Sequence, residues 1–217
     1  MKSNIIISDI TCMKDKFCVA GFDVFENKMK RLLIDDGYWS LDNIKKIKTY
    51  GSILVDTYPL EHPRDYPQRT EDINIDFDSI EVLQNFDNAK DIAKSLEKSV
   101  SKSIQSIFNG NVKERSYILP KTKCASLGAI ILPSEDISFT KENGKLRCII
   151  NDRDGEKYCL RVSCKYIRKF FDENQDVDIL NQTLKTKQFV HIRIGLARPF
   201  LIQDKHCFLM VNGLFLY

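Results

Sequence analysis

Hydrophobic residues along this chain alternate with polar ones or bunch into short apolar runs. Runs of that kind bounded by turn residues mark β-strands. Four stand out early: Asn4–Ser8, Phe17–Phe22, Lys28–Ile34 and Ser52–Leu60. The third stops at Asp35-Asp36-Gly37, a turn sequence. Between the third and fourth runs, Leu41, Ile44 and Ile47 fall at helical spacing behind Ser40, a suitable N-cap. The pattern resumes with Ser126–Leu132, Leu146–Ile150, Tyr158–Val162, Phe189–Ile194, His206–Val211 and Leu214–Tyr217. Asn143-Gly144 predicts a tight hairpin, and Asp152-Arg153-Asp154-Gly155 predicts another turn. Tyr166–Phe171 and Val177–Leu184 read as short helices.

One segment has a different period. From about Asn88 to Phe108, apolar residues recur at Ala89, Ile92, Ala93, Leu96, Val100, Ile104, Ile107 and Phe108, which makes one helical stripe. Asp87 is the expected N-cap and Asn109-Gly110 the stop. Such a helix would be about 30 Å long. Lys94, Lys98 and Lys102 repeat every four residues on its polar side, as a polyanion contact or as a solvated face. The predicted order is a β-rich half, a long amphipathic helix and a second β-rich half, without a sequence repeat between the halves. Short strands of this kind suit small barrels or sandwiches.

Composition narrows the class. Of 217 residues, 43% are hydrophobic and 29% charged, as in ordinary soluble domains. No apolar run approaches the roughly 18 residues that a membrane span needs. The opening apolar run ends at Ser8-Asp9, too early for a secretory core, so it reads as a first strand and the expected location is cytoplasmic. The seven cysteines, at 12, 18, 124, 148, 159, 164 and 207, are odd in number, which favours reduced thiols over a disulfide framework. Cys159 and Cys164 alone are closely spaced, with no second pair to complete a zinc site. Net charge is +3, but residues 1–108 carry 15 basic and 18 acidic side chains while residues 109–217 carry 18 and 12. The second half is therefore the one suited to a polyanion.

The densest polar chemistry lies at His62–Asp72, His-Pro-Arg-Asp-Tyr-Pro-Gln-Arg-Thr-Glu-Asp, directly after an apolar strand. His62, Glu71 and Asp72 could gather a divalent ion, or the two carboxylates could pair with Arg64 and Arg69 within the loop. No phosphate-binding loop, dinucleotide fingerprint, zinc-protease or nucleophile-elbow motif occurs, and no cofactor is expected. Single-stranded nucleic acid is held by cations on phosphates and aromatic rings on bases. The residues offering that combination are Arg64, Tyr66 and Arg69 in the loop, Lys30 and Arg31 on the third strand, and Arg193 and Arg198 near the end. Tyr38-Trp39 reads as core packing after a turn.

Three stretches carry a family resemblance. They are Gln68-Arg69-Thr70-Glu71-Asp72, then Ile192-Arg193-Ile194-Gly195-Leu196-Ala197-Arg198-Pro199-Phe200 with Cys207 to Phe215, and the opening Ile-x-Asp-Ile-Thr followed by Phe17 to Phe22. Together they resemble the dual OB-containing domain family of prokaryotes over nearly the whole chain. Ala197 and Phe208 depart from the Thr and Trp more frequent there, which weakens a stacking role at 208. The resemblance implies a mixed, mainly β fold of two OB-like β-barrels, residues 1–78 and 112–217, joined by a long amphipathic α-helix within 79–111. It brings no catalytic residues. The function expected is a non-enzymatic module for single-stranded nucleic acid or a nucleotide, in prokaryotic defence or a mobile element. The alternatives are a protein-interaction adaptor and a metal-dependent hydrolase.

Overall fold

The computed structural model describes residues 1–35, 37–49, 51–60, 70–199 and 206–217. The protein is mainly β, with 46% of the described residues in strands and 22% in helices. The first half contains β1 (Lys2–Met13), β2 (Lys16–Asp23), β3 (Lys28–Leu33), α1 (Leu41–Lys45), β4 (Gly51–Tyr58), β5 (Asp72–Ile75) and β6 (Glu81–Asn85). The path β1-β2-β3-β5-β4 closes on itself because β1 also pairs with β4, giving a five-stranded barrel, with β6 added along β4. All these pairings are antiparallel except β3–β5. Ser40 caps α1 through a reciprocal capping box with Asn43. Ile5, Ile7, Val19, Leu32, Ile53 and Val55 fill the barrel, and Trp39 joins them with its indole N–H donated to the Leu32 carbonyl at 2.8 Å.

The 88–108 stripe does not form one helix. It breaks into α2 (Ala89–Ser95), a 3₁₀ turn (Glu97–Ser99), an extended step at Val100, and α3 (Ile104–Ile107). Serines drive the break by offering the backbone local bonds that compete with the helix. Ser99 Oγ donates to the Leu96 carbonyl at 2.6 Å, and Ser103 with Ser106 forms a new capping box. Val100 bridges to Ala129, and the Ser101 amide donates to the Ala129 carbonyl at 2.7 Å. The apolar stripe is still buried, but in two places. Ile92 and Leu96 pack with Ile6, Phe22 and Phe215, whereas Ile104, Ile107 and Phe108 enter the second core. A straight helix could not serve both. Asn88, not Asp87, is the N-cap. Lys94, Lys98 and Lys102 are exposed but share no continuous helix face. β6 lies within the connector expected over residues 79–111, ahead of the stretch expected to be helical.

The second half contains β7 (Tyr117–Ile118), β8 (Leu127–Pro133), β9 (Ile137–Glu142), β10 (Lys145–Asn151), β11 (Lys157–Val162), α4 (Lys165–Asn174), α5 (Val177–Lys185), β12 (Phe189–Leu196) and β13 (Cys207–Leu216). Its sheet runs β8-β12-β13-β11-β10-β9, with β7 beside β13. The β11–β13 pair is parallel. Asn143 and Gly144 take φ of 50° and 73°, as a two-residue β9–β10 hairpin of type I′ demands. The apolar positions of every strand meet in one core that includes Phe139, Cys148, Tyr158, Leu160, Ile192 and Val211.

Candidate nucleic-acid interface

The cations singled out in the sequence separate into three groups. Arg64, Tyr66 and Arg69 lie outside the described residues. Lys30 and Arg198 lie at or near the surface. Lys30 donates to Glu26 at 2.7 Å, and the exposed Arg198 guanidinium sits 4.9 Å from the centre of the Tyr38 ring. Arg31 and Arg193, by contrast, are interior, with only 4% and 1% of their surface exposed. Neither presents a charge to a phosphate in this structure, contrary to the expectation from sequence.

Both buried arginines hold the two halves together. Arg31 on β3 pairs with Asp72 on β5 and donates to Ser126 Oγ at 3.0 Å across the interface. Glu71 receives the Ser126 amide at 2.6 Å and its hydroxyl at 3.0 Å. Arg193 on β12 faces Asp9 of β1 at 3.5 Å and donates to Ser99 Oγ at 2.9 Å. Ser8 adds a bond to the Asp9 carboxylate at 3.0 Å. Ser8 is also the extra residue of a bulge in the β1–β2 ladder, which re-aims this part of the strand. Burial raises the Asp9 carboxyl above its ordinary range, against the pull of Arg193, and lowers Arg193. Burial likewise raises Glu71, against the amide it accepts from Ser126. Glu71 and Asp72, considered in the sequence as metal ligands, are thus occupied in this clasp. Among the described residues no group of three His, Cys, Asp or Glu is placed to hold a metal.

This clasp closes one face and leaves another open. On β2 and β3 of the first barrel, Ala20 lies opposite Arg31 and Phe22 opposite Met29, all pointing away from the barrel core. Ala20, Phe22 and Arg31 are buried beneath the second half, and Arg193 reaches Met29 Sδ at 2.8 Å. The corresponding face of the second sheet is solvated. On β10 and β11 the inward positions are Leu146, Cys148, Ile150, Tyr158, Leu160 and Val162, so Lys145, Arg147, Lys157, Cys159 and Arg161 point outward. Strand register sets Thr140, Arg147, Arg161 and Met210 in one row across β9, β10, β11 and β13. Arg147 contacts Glu142 at 3.0 Å, an exposed pair of the kind worth under about 1 kcal/mol and easily exchanged for a phosphate.

Aromatic rings border this row. Phe208 shares the outward side of β13 with Met210 and is 38% exposed. Tyr117 lies opposite it on β7 and stacks on His206 with ring centres 3.7 Å apart. Lys113, Arg115, Lys121 and Lys123 are exposed on the same stretch of chain as Tyr117. Sequence reasoning placed β10, β11 and β13 but not β7, and it overlooked Arg147, Arg161, Tyr117 and His206 as candidate site residues. The signal was the period of two in Lys157-x-Cys159-x-Arg161 and Lys145-x-Arg147, which puts every cation on one face.

The strand order, the parallel third–fifth pairing and the helix between the third and fourth strands make the first half an OB-like β-barrel. No protein-family model matches the chain. No curated protein matches it either. Among solved structures it is similar to the tetrameric p202 HIN2, at 9% identity and a TM-score of 0.35, covering 100% of this chain and 91% of that one. A likeness at that level carries no argument about function. Among the described residues no helix is long and apolar enough to cross a membrane.

Proposed function

We propose that this protein is a non-enzymatic double OB-type module that binds single-stranded nucleic acid across the outer face of β9, β10, β11 and β13. Support for a second OB-type barrel comes from the path β9-β10-β11-β13-β12, the parallel β11–β13 pair, and the position of α4 and α5 between β11 and β12. In this reading β8 and β9 are one first strand, split by the 3₁₀ turn Ser134–Asp136, and β8 closes on β12. Oligonucleotides lie on the second- and third-strand face of OB barrels. The observation that carries the proposal is that this face is buried in the first barrel and is open and cationic in the second. The prokaryotic, cytoplasmic setting and the defence or mobile-element role belong to the same proposal.

The test is fluorescence anisotropy with a labelled oligothymidylate over a salt series. Four phosphate contacts, from Lys145, Arg147, Lys157 and Arg161, give a log–log salt slope of about −2.8. The Arg147→Glu/Arg161→Glu variant should bind far more weakly, with the slope roughly halved. Absence of binding at low salt, or unchanged affinity in that variant, would sink the proposal. A protein partner has one observation in its favour. Among the described residues β6 pairs only with β4; it is exposed at all five positions and carries half-exposed Val82 and Leu83, so its outer edge could add a strand from another chain.

A further inference from the structure

A cavity of about 330 Å³ lies between the two halves, bounded by β1, β13, α4 and α5. That volume falls within the range of small-molecule pockets. Its walls are mainly apolar, with Ile10 from the first barrel, Ile167 and Phe170 from α4, Leu180 from α5, and Leu214 from β13. Phe170 and Tyr166 are partly solvent-exposed as well as lining it, so aromatic rings frame the opening. Among the described residues no lysine, arginine or histidine lines it. A phosphate or carboxylate would have no counter-charge there.

Polar groups are few, and one lacks a partner. Thr49 lines the cavity, and its buried hydroxyl has no hydrogen-bond partner among the described residues. Ser8, Thr183 and Asn212 are the other polar side chains on its wall, apart from the Tyr166 ring. Ladder pairing of Ile6 with Ser52 brings the Thr49 end of one chain segment toward Ser8 and Asp9 of the other. Unpartnered polar atoms inside a structure are rare and call for an occupant or a purpose.

We propose that this cavity binds a small, uncharged, fused-ring aromatic molecule carrying one N–H donor. The rings would lie against Phe170, Ile167 and Leu214, and the donor would face the Thr49 hydroxyl oxygen. This site is separate from the cationic face and takes no part in nucleic-acid binding.

Indole is the probe, with 1-methylindole as the donor-less control and adenosine monophosphate as the phosphate-bearing control. Thermal unfolding of the full chain is followed as each is titrated, and ligand-observed saturation-transfer NMR reports contact directly. Indole should raise the melting temperature in proportion to the logarithm of its concentration at saturation. It should do so more than 1-methylindole, and adenosine monophosphate should have no effect. Leu180→Trp, or Ile167→Phe if the first variant folds poorly, should fill the cavity and abolish both the shift and the NMR transfer. Both positions are partly buried, so a larger side chain can be accommodated. The proposal is overturned by no indole response up to its solubility limit, by an equal response in a folded cavity-filled variant, or by equal stabilisation from adenosine monophosphate.

Discussion

Acid should destabilise this protein through one side chain, His191. It lies on β12 with none of its surface exposed, its ring 5.5 Å from that of Phe215, and neither ring nitrogen hydrogen-bonded among the described residues. Burial, with a further contribution from the Arg193 charge, lowers its pKa from 6.5 to about 3. The folded protein therefore keeps His191 neutral while the unfolded chain takes up a proton below about 6.5. Stability from this group is complete above that value and is lost progressively as pH falls toward 3. At pH 5 the folded side chain still does not titrate, so the loss is set by 1.5 units of unfolded-state protonation, about 2 kcal/mol. Asp9, Glu71 and Asp152 have raised pKa values and change stability in the opposite direction, so wild type must be compared with a variant. His191→Leu removes the titrating group and keeps an apolar side chain of similar size. Urea unfolding of both proteins at pH 8 and pH 5, at fixed ionic strength, measures the difference. Wild type should lose about 2 kcal/mol more than His191→Leu between these values. Equal pH dependence in the two proteins would refute the argument.

Two further predictions concern a buried ion pair between the halves and a close strand approach within the first barrel. Arg193→Met should destabilise the fold by about 3–5 kcal/mol by leaving Asp9 charged and buried, and Asp9→Leu in the same chain should recover much of that loss; a denaturation cycle without recovery would show that the pair is not the cause. Gly21→Ala should cost at least the 1–3 kcal/mol typical of overpacking, because its Cβ would meet the Ile6 carbonyl oxygen at 2.5 Å and Ile5 Cγ2 at 2.4 Å; a shift in urea midpoint equivalent to under about 0.5 kcal/mol would contradict that geometry.

Legibility in the sequence tracked how many faces of an element meet water. β10 and β11 have one solvated face, so buried apolar positions recur at every second residue and both strands could be placed within a residue or so. β12 is buried on both faces, with Val190, Ile192 and Ile194 in the second core and His191, Arg193 and Gly195 against the rest of the molecule. Its imperfect alternation suggested an exposed Arg193, because a polar side chain buried by a distant segment looks the same as a solvated one. The 88–108 stripe misled for a related reason. Its apolar spacing was sound, but the residues serve two cores, and only the contacts of Val100 and Ser101 with Ala129 reveal the break.

Local sequence determined what local forces can determine. Asn143-Gly144 made its hairpin because both residues tolerate positive φ, and Ser40 started its helix because its hydroxyl meets a free amide. The apolar runs became strands, and the excess of positive charge in the second half was visible from composition. Tertiary structure decided which charges remain available. The partners of Arg31 and Arg193 include Ser126 and Asp9, 95 and 184 positions away, and those partners come together only when the halves dock. Burying a guanidinium demands such partners. Docking therefore removed one cationic face from solvent and left Arg147 and Arg161 on the other.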